Sequence, residues 1–172
     1  MDALRLRFFA PCLALLTSCS SSKTGDSDAA TCHAFVSDAG LSETISFAAD
    51  VVPIFQTNCT GGGFGCHGTD DNTPYLGDAD GGSDPSDLLA SIVGVLSPED
   101  PLMDLVAAGD PANSYLMHKM DGDQCTLAAG CMQSRFGYLT DCGNNMPNGG
   151  ATLPLATRDM VRAWIAQGAT NN

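Results

Sequence analysis

The chain has 172 residues, enough for one domain plus processing segments, and its aromatic content is only 6%. A net charge of −13 with seven Lys and Arg excludes a nucleic-acid-binding face and fits a soluble exported protein or one that meets a basic partner. Nineteen glycines and nine prolines predict a loop-rich fold whose small core needs cross-links or a bound group.

Residues 1–18 read as an export signal: Arg5 and Arg7 supply the positive region, and Phe8 to Leu16 a short apolar run. That run is too short to span a bilayer. It ends in "LTSC", similar to the bacterial lipobox, with Cys19 as the lipidated residue. Ser20 follows, and by resemblance to known lipoproteins the expected address is the outer membrane, facing the periplasm. Residues 19–43 then form a lipid-anchored flexible tether whose distal part Cys32 pins to the domain. Beyond Cys12 and Cys19, six cysteines remain in an oxidising compartment, so disulfides are expected.

The domain is expected over 44–172. A first helix begins after Asp50 as N-cap, with Pro53 in its first turn and Val52, Phe55 and Phe47 facing inward. A second covers "PSDLLASIVGV", Pro85 to Val95, with Leu88, Leu89, Ile92 and Val93 on one face. A third fits "DPANSYLMHKM": Asp110 caps it, Pro111 opens it and Gly122 stops it. Met117 and Met120 read as core. Asp121 to Gly150 is a cross-linked loop in which Cys125 pairs with Cys131 or Cys142, a connectivity that sequence does not resolve. The last helix, "TRDMVRAWIAQGA", has Thr157 as N-cap and Gly168 as stop. Met160, Val161, Trp164 and Ile165 form its apolar stripe, with Arg158 and Arg162 off it. No convincing strand is present, so the class is mainly α with long disulfide-linked loops.

The chemistry concentrates in "NCTGGGFGCHG", Asn58 to Gly68. Covalent haem attachment needs two thiols on one edge of the macrocycle and a histidine directly after the second. Cys66 and His67 meet half of this; six residues, four of them glycines, separate Cys59 from Cys66. Such an insert can bulge outward and return Cys59 towards Cys66. The same freedom permits a Cys59–Cys66 disulfide, and spacing alone does not choose. A second element, "GNNMPNGG", offers the Met146 thioether on a loop braced by Pro147. His118 is a rival ligand, though beside Lys119 it reads as a solvated polar residue. Nothing supports hydrolase or transferase chemistry: no Ser-His-Asp order, nucleotide loop or paired carboxylate in apolar surroundings occurs.

In its order of elements the chain resembles the class I-like c-type cytochrome domains of bacterial exported lipoproteins. The resemblance rests on "DVVPIFQTNC", "GCHG", "GDPANSYLMHKMDG", "NMPNGG" and "MVRAWIAQGA", spanning Phe47 to Ala169, with a variant C-x6-C-H spacing. It implies a cytochrome c-like helical domain carrying haem c. Cys59 and Cys66 would be thioether ligands, His67 the proximal and Met146 the distal iron ligand, with Trp164 near the haem-binding helix. Val51, Ile54, Phe55, Leu116 and Trp164 are expected to line the apolar pocket. The implied function is electron transfer with redox partner proteins of the cell envelope. The alternative is a haem-free, disulfide-stabilised lipoprotein, a binding or structural module on the same scaffold.

Overall fold

The computed structural model describes residues 32, 34–37, 42–61, 67–68, 74–78, 82–127, 130–131, 142–148 and 151–172, all within one unit, Cys32–Asn172. The expected signal segment, Cys19 and Cys66 lie outside the described residues. Among the described residues the structure is helical with only isolated bridges, and no helix is long and apolar enough to cross a membrane.

The first helix starts earlier than expected. Ser46, not Asp50, is its N-cap: the hydroxyl accepts the Ala49 N–H, while the Asp50 carboxylate reaches back to accept the Ser46 N–H at 2.8 Å. Reciprocal capping of this kind satisfies two otherwise orphaned donors. The turn Phe47–Val51 is a π-turn, with the Val52 N–H bonded to the Phe47 carbonyl, and it runs directly into α1, Val52–Asn58. Pro53 therefore lies inside a continuous helical segment. The change of register falls just before it, where a proline cannot donate to the preceding turn.

Helix α2, Pro85–Ile92, is capped by Asp84, whose carboxylate accepts from Ser86 N–H; it buries Leu88 and Ile92. It stops short of Val95 because Val93 turns extended and bridges to Val106. The segment from there to Val106 doubles back on itself, Leu105 N–H bonding Val95 and Ser97 N–H bonding Met103. Its tip carries Pro98 and Glu99.

The expected third helix is two pieces. Asp110 caps a 3₁₀ turn, Pro111–Asn113; Ser114 is then extended and bridged to Asp104; α3 follows at Tyr115–Asp121. Gly122 closes α3 at φ +77°, a left-handed position where a side chain is strained, and its N–H bonds the His118 carbonyl.

Helix α4, Leu155–Ala166, begins before Thr157, because the carbonyl of Pro154 takes the Thr157 and Arg158 N–H groups and no side-chain cap is used. Val161, Trp164 and Ile165 are buried, and Trp164 stacks on Phe47 with centroids 4.8 Å apart. The terminal helix thus lies against the turn that leads into α1. Its polar face is not simply solvated. Arg158 is only 8% exposed, and with Arg162 it pairs to Asp121 at the end of α3.

The distal part of the expected tether joins this face. Phe35 lies under both guanidinium groups, at 4.6 and 5.0 Å, and Ser37 donates to Asp159. Cys32 is bonded to Cys125, and Cys131 to Cys142, so the expected pairing of Cys125 within its own loop is replaced by a long-range link.

Candidate functional site

Helix α1 delivers Cys59 at its C-terminus, where the Cys59 N–H closes the helix on the Phe55 carbonyl at 2.7 Å. The chain then returns: the His67 N–H donates to the Cys59 carbonyl at 3.0 Å, so both ends of the glycine-rich insert meet. Gly68 makes this approach possible, since a Cβ there would stand 2.6 Å from the Thr60 carbonyl oxygen. Residues 62–66 and 69–73, flanking His67, lie outside the described residues.

His67 is held by the segment that follows it. Its Nδ1–H donates to the Pro74 carbonyl at 2.8 Å, and its own carbonyl accepts the Leu76 N–H at 2.8 Å. With Nδ1 engaged as donor, the ring presents Nε2 as its lone-pair nitrogen. Burial lowers the pKa of His67 below 6.5, against the smaller opposing effects of the Pro74 bond and Glu99.

Met146 comes from the other side of the fold. Its N–H donates to the Lys119 carbonyl at 2.8 Å, near the end of α3, and its peptide bond to Pro147 is cis. Cys59, His67 and Met146 all line one cavity of about 240 Å³. Most of the wall is apolar, from Leu76, Leu105, Leu116, Met120 and Leu153.

Of the five residues expected to form the pocket, only Leu116 lines it. Val51, Phe55 and Trp164 are in the closed core, and Ile54 packs against that core. Helical periodicity marks them as buried, which is correct, but does not say on which side of the helix the cavity lies. His118 is not at the cavity; its Nδ1 meets Asp123 at 2.8 Å and its Nε2 the Ala112 carbonyl at 3.0 Å. Cys32, bonded to Cys125, is unavailable to a metal, and among the described residues no group of three His, Cys, Asp or Glu could hold one.

One corner of the cavity is polar, and no local sequence pattern announces it. Lys119, 5% exposed, donates from Nζ to Glu99 Oε2 at 3.0 Å and to the Cys142 carbonyl at 2.8 Å. The Tyr115 hydroxyl donates to the same carboxylate oxygen at 2.5 Å and lies 2.8 Å from the Cys142 carbonyl. Tyr115 and Lys119 are four apart on α3, a spacing that places them on one face. Nothing local in the sequence marks Glu99. Compared with protein-family models, curated proteins and solved structures, the chain finds no match.

Proposed function

We propose that this chain is an electron carrier of the c-type cytochrome kind, lipid-anchored to the cell envelope through Cys19. The observation that carries the reading is the convergence of Cys59, His67 and Met146 on one apolar cavity from two widely separated segments. The donor chemistry fits a haem. His67 has the tautomer a metal-ligating imidazole needs, with its second nitrogen fixed by a backbone carbonyl. Met146 contributes a soft thioether from a loop tied to α3.

On this reading Cys59 and Cys66 would hold haem c through thioethers, and His67 and Met146 would bind its iron. When bound, that group supplies a one-electron couple. The protein's part is to orient and insulate. Leu76, Leu105 and Leu116 give the cavity an apolar wall, and the Pro74 carbonyl fixes the plane of the His67 ring. The excess of acidic side chains steers basic redox partners of the envelope.

The deciding experiment is production of the exported protein together with a haem-attachment system. A haem stain that survives denaturation, a sharp Soret band and a mass increase of one porphyrin are expected. A mature chain without porphyrin, under conditions where other holocytochromes form, overturns the reading in favour of a haem-free lipoprotein module. Substituting Met146→Ala should leave the covalent stain and abolish the weak charge-transfer band at the red end of the visible spectrum.

A further inference from the structure

Lys119 touches the methionine loop at both of its ends. Its backbone carbonyl accepts the Met146 N–H at 2.8 Å, and its Nζ donates to the carbonyl of Cys142 at 2.8 Å. Between these points the loop backbone is laid directly on the ion pair. A Cβ on Gly143, at φ +75°, would come within 2.9 Å of Nζ and 3.2 Å of Glu99 Oε1. The Cys131–Cys142 disulfide fixes one end of the loop covalently, and Gln124 donates to the Gly143 carbonyl at 3.0 Å.

An almost fully buried ammonium is costly unless its donors are used. Here one goes to a carboxylate that is itself half-exposed, and another goes to a loop carbonyl. The second bond satisfies a donor that burial would otherwise orphan, and its acceptor is the backbone of the methionine loop. We infer that Lys119 is the positioning residue for Met146: its amine and its carbonyl together clamp 142–146 against α3, so that the thioether stays at the cavity. Glu99 holds the amine in place, and the Tyr115 hydroxyl ties that carboxylate to the same Cys142 carbonyl. The functional sense of this clamp rests on the electron-carrier reading, while the clamp itself can be read without haem.

The test therefore has two arms, both on the full mature chain. Lys119→Met keeps the aliphatic stem and the backbone carbonyl but removes the donor. In the haem-free, oxidised protein, amide hydrogen exchange at Met146 is expected to accelerate about tenfold or more, as loss of a charge-assisted bond implies, while amides of α4 stay protected. In the haem-loaded protein the covalent stain should persist, and the red-end charge-transfer band should weaken or vanish. Glu99→Gln, which leaves Nζ on the Cys142 carbonyl, should retain most of that band. Unchanged exchange at Met146 in Lys119→Met overturns the clamp, whatever the haem result. Faster exchange with the band intact overturns its role in positioning the thioether. Should Lys119→Met fail to fold, the charge-neutral pair Lys119→Met with Glu99→Gln is read in the same way. Failure to attach haem rejects the electron-carrier reading alone, and the exchange arm then decides the clamp.

Discussion

The charge of His67 depends on its burial at the cavity. Burial lowers its pKa below 6.5, so the folded chain holds the imidazole neutral with Nδ1–H on Pro74. In the haem-free protein the sign follows directly. Between its folded pKa and 6.5, the unfolded chain binds a proton that the folded chain refuses, so stability rises with pH there. This contribution is complete above 6.5 and is lost as pH falls through the folded value. Urea midpoints of wild type and His67→Gln, compared from about pH 7.5 down to about pH 5, should converge as pH falls. A constant difference over that range would show that the ring titrates alike in both states. Cys59, His67 and Met146 were nameable from sequence because each sits in an unusual local pattern: a glycine insert, a Cys-His pair, a Met-Pro loop. Lys119 and Glu99 were not, because their meaning arises only when α3 and the Ser97–Met103 turn come together in space.

At the scale of elements, the positions of the helices follow from the apolar pattern, and their ends follow from capping, which is harder to read. Asp50 has the composition of an N-cap, yet its carboxylate serves Ser46 from inside the helix. The π-turn moves the returning acid one position beyond the usual capping box. Ser46→Ala should therefore cost about 1 kcal/mol, and Asp50→Ala a comparable amount. Because the two side chains cap one turn, the double substitution should cost less than the sum, a coupling readable by urea denaturation of the four proteins. Simple additivity would mean that the two bonds act independently. The same limit explains α4. Thr157 suits a cap, but the Pro154 carbonyl already receives the first N–H groups, and the helix begins at Leu155. The cavity wall was misread for a related reason. Val51 and Phe55 are buried in the core that Trp164 of α4 also fills, while the cavity opens towards α3 and the Leu105 segment.

For the whole molecule the sequence announces cross-links but not their topology, since connectivity depends on which loops the helices bring together. Among the described residues the outcome is one long link and one short one, with separations of 93 and 11 residues. Closing a longer loop removes more entropy from the unfolded chain. By that account Cys32–Cys125 stabilises by about 4.6 kcal/mol and Cys131–Cys142 by about 2.8 kcal/mol. The long link also secures Phe35 over Arg158 and Arg162, and the Phe35 N–H on Asp123 at 2.6 Å. Small domains hold only about 5–15 kcal/mol in total, so the loss of either should be visible. We expect the pair Cys32→Ser and Cys125→Ser to lower the unfolding free energy by roughly 2 kcal/mol more than the pair Cys131→Ser and Cys142→Ser. The two should also differ in kind. Without the long link the whole unit melts earlier as one transition, because that link fastens the N-terminal segment to α3 and α4. Without the short link, the main effect should be faster exchange confined to 142–148, where hydrogen bonds from Lys119, Tyr115 and Gln124 are left to hold the methionine loop. Equal losses, or a larger loss from the short link, would mean that the segment around Cys32 contributes little to the folded state and that its packing on the arginine face is weak.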